Sequence, residues 1–186
     1  GHRFVRQQTE QVQIGLIYPD LAPQDPDFYT ARMGAQVLSG GTSSRLFTEV
    51  REKRGLVYDV SASPVSLSGF GYLAVYAGTT QERAAQTLET LQGELGALAD
   101  GVREEELRRA VIGVKSALVM QQASSRVRAA ALARDLFSLG RVRGLEEIIS
   151  EIDQVSLERL NRFLLEHPYE QPWSCVLGPQ PVEVKL

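Results

Sequence analysis

Hydrophobic and polar positions change period several times along this chain, and each change marks an element. Residues 12–18, VQIGLIY, form a short apolar run stopped by Pro19, which predicts a strand. Pro19, Pro23 and Pro26 punctuate a turn-rich connector. From Asp27 onward Phe28, Met33, Val37 and Leu38 recur at three- and four-residue steps, predicting a helix that stops at Gly40-Gly41. A second helix is expected to start near Ser43 or Ser44, whose side chain can accept from an orphan N–H of the first turn. Leu46, Phe47 and Val50 would be its buried stripe, and Gly55 its end, because glycine takes the left-handed conformation without a Cβ penalty. Residues 56–63 and 70–78 then read as a hairpin around Ser68-Gly69, with Phe70, Tyr72, Ala74 and Tyr76 alternating against Gly71, Leu73, Val75 and Ala77.

The second half is helical. Thr79-x-x-Glu82 reads as a capping box, and behind it Ala84, Leu88, Leu91, Leu95 and Leu98 step by four, three, four, three to a stop at Gly101. A helix is expected over 104–122, with Leu107, Val111, Val114 and Leu118 on one face. Another follows Ser124-Ser125 and ends at Leu139, before Gly140. A shorter helix fits 144–152. Ser156 caps one more, with Val155 and Leu160 placed as a hydrophobic staple, and Pro168 ends it. Residues 173–177 form a last strand, in which Cys175 reads as a buried, inert thiol. Strand, helices, hairpin, helices, strand is the order of an α+β two-layer domain, an antiparallel sheet with helices packed on one face.

At 186 residues, the length allows one large domain or two small ones with a sizeable core. Hydrophobic residues make up 43% and charged residues 23%, as in an ordinary globular protein. Net charge is −3, and bases alternate with acids, as in residues 103–109, which read as a solvated helix face. That balance excludes a nucleic-acid groove, and no apolar run reaches the ~20 residues of a membrane span. Gly1-His2 with no initiator Met is expected to be an expression-tag scar. Residues 3–186 would then be a single domain excised from a longer chain, without a signal peptide and cytoplasmic.

Candidate chemistry is sparse. His167 is the one histidine outside Gly1-His2, and a single cysteine leaves no Cys-x-x-Cys, so no zinc ligand set is expected. Gly40-Gly41 has no phosphate-loop continuation, and Ser43-Ser44 lack a partner for nucleophilic catalysis. Arg51 and Tyr58 stand out. The first falls on the last turn of a predicted helix and the second near the start of the next strand, so both can point over one rim. Arginine offers a rigid fork of donors, and tyrosine a phenolic donor for a developing oxyanion. On spacing alone, Arg51 would pair with a surface acid such as Glu49 or Glu52, and Tyr58 would cap the core with its hydroxyl in water.

Residues 40–60, GGTSSRLFTEVREKRGLVYDV, resemble the metal-free domain of pitrilysin-type zinc peptidases, the group that includes insulysin and the mitochondrial processing peptidases. The segments SRLF and REKRGLVY and the hairpin carry the likeness, and the order of elements extends it across residues 12–177. The H-x-x-E-H zinc motif of the other half is absent. The resemblance implies a non-catalytic, substrate-binding domain. Arg51 would position a peptide backbone and Tyr58 would stabilise the tetrahedral intermediate. No cofactor would sit in this chain; the zinc would belong to a partner half, in the same polypeptide or in a separate subunit. The substrate would be a peptide or unfolded polypeptide, and an exposed partner-facing patch could also drive a homodimer. The alternative is a structural or assembly homologue of the same fold without proteolysis, like core subunits of respiratory complexes.

Overall fold

The computed structural model describes residues 1–182. Five strands form one sheet in the order β1-β5-β2-β4-β3: β1 (His2–Arg6), β2 (Val12–Asp20), β3 (Val57–Leu67), β4 (Phe70–Thr79) and β5 (Trp173–Gly178). β5, β2, β4 and β3 run antiparallel to their neighbours, whereas β1 lies parallel to β5 at one edge. β1 is an addition to the sequence reading. Its segment HRFVR has no apolar alternation, and it is held by β5, with the Ser174 amide donating to Gly1 O at 2.8 Å.

One face of the sheet is buried. Val12, Ile14, Leu16 and Tyr18 of β2 alternate inward, opposite Leu73, Val75 and Ala77 of β4. Over them lie α1 (Phe28–Ser39), α2 (Ala84–Gly96) and α6 (Leu157–Glu166), which contribute Met33, Leu38, Leu88, Leu91, Leu95, Leu160 and Leu164 to a single core. α1 is the hub and packs on β3, α6 and α3 (Glu104–Gln122). Of the remaining helices, α5 (Leu145–Asp153) adds buried Ile152 to the core and packs on α1 and α3, whereas α4 (Ser125–Leu139) buries only Ser138. The chain is therefore an α+β two-layer domain. Among the described residues no helix is long and apolar enough to cross a membrane. Gly71 is required at its place, since a Cβ there would fall 2.1 Å from the Leu21 carbonyl oxygen.

The helix ends follow their caps. Ser156 Oγ accepts from the Arg159 amide at 3.1 Å, Ser124 Oγ accepts from Val127, and Gly140 closes α4 at φ 70°. Three local expectations need correction. Cys175 is exposed: with Ser174 and Val176 facing inward, the strand's alternation puts Cys175 on the open face beside Trp173. Thr79 does not cap α2. It is still in β4, and its hydroxyl donates to Leu56 O at 2.5 Å, while Thr80 takes the extended conformation before the 3₁₀ turn Gln81–Arg83. Glu106 is not on a solvated face. It is 7% exposed and ion-paired to Arg45, because one of three consecutive glutamates must point inward on a packed helix.

Candidate active-site rim

The second predicted helix is not an ordinary α-helix. After Leu46 the chain widens into a π-helical segment, Phe47–Glu52, in which the Lys53 amide reaches back five residues to Thr48 O at 2.9 Å. No serine side chain caps its start among the described residues. Buried Leu46 and Val50 hold it to the core. It ends as expected at Gly55, φ 59°, with the Leu56 amide bonded to Val50 O at 3.0 Å.

Arg51 sits in this π segment, exposed, with its guanidinium 5.0 Å from the centre of the Phe47 ring. Glu49 does not capture it. That carboxylate is held by Lys53 at 2.6 Å and Arg54 at 3.1 Å, and the Lys53 hydrogen bond keeps its pKa below the usual range. Arg51 has no ion pair among the described residues, so its donor fork is free.

Tyr58 lies in a second irregularity. The β3–β4 register passes from Val57↔Thr79 to Asp59↔Gly78, leaving Tyr58 as the extra residue of a β-bulge. It is 58% exposed, and its hydroxyl has no hydrogen-bond partner among the described residues. Bulges and π turns are both over-represented next to functional sites, where they redirect a side chain at the cost of a regular ladder. Here one of each falls within seven residues.

The turn between them is fastened from outside. Arg83 donates to Gly55 O at 2.8 Å and Thr79 to Leu56 O, while Thr87 bonds the Thr79 hydroxyl at 3.2 Å. Behind the π segment, Arg45 donates to Glu106, to Ala97 O and to Gly101 O. Burial raises the Glu106 pKa, but hydrogen bonds from Arg45 and from Arg103 outweigh it and bring the carboxyl down to about 2. Arg45, Thr79, Arg83 and Glu106 thus brace the backbone around Arg51 and Tyr58, through contacts that sequence reasoning missed. The sequence marks Arg45 only as part of the SRLF segment and Thr79 only as a helix cap.

Among the described residues no group of three or more His, Cys, Asp or Glu could hold a metal ion. Elsewhere the surface exposes large apolar side chains: Ile112, Val119 and Met120 on α3, and Leu132, Leu136 and Phe137 on α4.

A family model described as the peptidase M16 inactive domain matches residues 1–114. The chain is 33% identical to the uncharacterized zinc protease YmxG of Bacillus subtilis over 157 residues, which are 84% of this chain and 38% of that protein. Its fold matches a crystal structure of a peptidase M16 inactive domain from Pseudomonas fluorescens with TM-score 0.83 and 22% identity, covering 98% of this chain and 44% of that one. It also matches a chain of complex III2 from Candida albicans with TM-score 0.84 and 18% identity, covering 96% of this chain and 46% of that one. The chain spans less than half the length of these relatives.

Proposed function

The chain belongs to the peptidase M16 inactive-domain family, and on that premise we propose that it completes the active site of a zinc peptidase whose metal is held elsewhere. Among the described residues no cluster of His, Cys, Asp or Glu fits a zinc ion, and on this reading the metal and its ligands belong to another half. That half is supplied by the same polypeptide or by a separate subunit. The substrate is a peptide or an unfolded polypeptide segment.

One observation carries the reading: Arg51 and Tyr58 flank a fastened turn, both exposed, and neither is engaged with a carboxylate or carbonyl among the described residues. The Arg51 fork holds the carbonyls of an extended substrate backbone. The Tyr58 hydroxyl donates to the scissile carbonyl oxygen as negative charge grows there, an interaction stronger in the transition state than in the bound substrate. The exposed apolar side chains of α3 and α4 suit a face covered by the zinc-bearing half.

A rival reading is an assembly role without proteolysis, and the fold shared with a complex III2 chain favours it. The free Arg51–Tyr58 pair weighs against it, since a scaffold needs neither donor. The test is peptide turnover by the chain reconstituted with its zinc-bearing half. Tyr58→Phe is expected to lower kcat by roughly 10²–10³-fold, the loss of one oxyanion donor. Arg51→Ala should raise KM as well as lower kcat, with melting temperatures unchanged for both. Full turnover by Tyr58→Phe would overturn the assignment.

A further inference from the structure

A second candidate site lies at the other end of β3, eight residues and roughly 26 Å along the strand from Tyr58. There Ser66, α1, α3, α4 and α5 enclose a cavity of about 360 Å³. Its size is that of a small-ligand pocket. Phe28, Val114, Leu118 and Ile148 make an apolar wall, and Arg32, Arg134 and Arg143 also line it, against a single carboxylate, Asp135.

The three arginines differ in what they already hold. Arg143 is spent: it grips Asp135 through two nitrogens, at 2.7 and 3.0 Å, and donates to the Tyr29 hydroxyl oxygen at 2.9 Å. Arg134 is exposed at the mouth. Arg32 is half-buried and has no ion pair among the described residues. Its one hydrogen bond is a long one, 3.4 Å to Ser66 Oγ, and its guanidinium lies 4.9 Å from the centre of the Phe28 ring. Asp20 acts on it only through space, with its own Oδ1 accepting from the Leu21 amide at 2.8 Å. A guanidinium has five N–H donors, and a half-buried one without an anion is costly to maintain. Burial also lowers the Arg32 pKa from the ordinary arginine value, as befits a cation short of countercharge. Because Arg143 donates to its oxygen, the Tyr29 hydroxyl keeps its own proton free to donate into the same cavity.

We propose that this cavity binds an apolar carboxylate, with the carboxylate on the Arg32 fork and the Tyr29 hydroxyl and the hydrocarbon body against Phe28, Leu118 and Ile148. The Arg32 fork matches the two oxygens of a carboxylate, and such a charge-assisted pair is about twice as strong as a neutral hydrogen bond. Arg134 adds attraction at the entrance. Either the free C-terminus of a peptide ending in an apolar residue or a short fatty acid presents this chemistry. The inference goes beyond the proposed role at the Arg51–Tyr58 rim and does not depend on it.

Calorimetric titration of the 186-residue chain with octanoate and with 1-octanol tests the charge. A parallel pair, an acetylated tripeptide ending in leucine with a free carboxylate and the same peptide as its amide, distinguishes the sources. At least one acid is expected to bind ten-fold or more tighter than its uncharged counterpart, and the tighter of the two acids names the source. Arg32→Met should weaken that acid at least ten-fold. Ala131→Trp, on an exposed position that lines the cavity, should abolish binding with Arg32 intact and the fold unchanged by circular dichroism. Failure of both acids to bind, equal binding of acid and uncharged probe, unchanged affinity in Arg32→Met, or binding retained by Ala131→Trp would each overturn the proposal.

Discussion

Helices α1 and α4 are both rich in alanine and large apolar residues, yet eight residues of α1 are buried and only Ser138 of α4 is. α1 is wedged between the sheet and α3, α5 and α6, whereas α4 leans mainly on α3 and exposes Leu136 and Phe137. Composition alone does not decide burial; the neighbours do. A helix that packs on one neighbour and exposes its apolar side chains resembles half of an interface, while one packed on several sides carries the stability of the domain.

The contrast can be broken by mutation. The largest effect is expected in α1, where Met33→Ala removes a fully buried side chain and should cost about 4 kcal/mol in urea unfolding. An intermediate effect belongs to the buried Arg45–Glu106 pair that ties the π segment to α3. Glu106 has a depressed pKa, so its stabilisation is complete above the ordinary carboxylate range and is lost as pH falls through about 2. Unfolding measured from pH 6 downward should show a gap between the native chain and Glu106→Gln on the order of 3 kcal/mol that narrows below the ordinary carboxylate range and closes as pH reaches about 2. A gap independent of pH would mean that the pair acts by packing and not by charge. The smallest effect is expected in α4: Phe137→Ser should shift the stability of this chain by less than about 0.5 kcal/mol. The same substitution should weaken association with a zinc-bearing half, measured by sedimentation. A large loss of stability from Phe137→Ser alone would erase the distinction between the two helices.

Much of the architecture was legible because periodicity is local. The leucine steps of α2, the alternation of β4 and the Ser156 cap each follow from spacing within one element. What escaped depends on the partner. β1 is a strand only because β5 offers it a ladder. Cys175 is exposed because inward Val176 sets the phase, and Trp173 shares the outward phase despite its apolar bulk. Glu106 looks like its neighbours Glu104 and Glu105 until Arg45 is brought to it from 61 positions away. At the candidate site the positions of Arg51 and Tyr58 were readable, but the shape of the backbone beneath them was not. A π segment and a bulge leave no period to detect, since each inserts one residue and then restores the pattern.

That insertion can be read as an arithmetic of the chain. With Tyr58 deleted, Val57, Asp59 and Val60 would face Thr79, Gly78 and Ala77 in unbroken register, with Val57 and Val60 inward and Asp59 outward. The sheet would lose no core side chain and would recover a regular ladder. Folding therefore places no demand on a residue at this position. Tyr58 is surplus to the architecture, and a chain one residue shorter here should fold at least as well while losing whatever the tyrosine is kept to do.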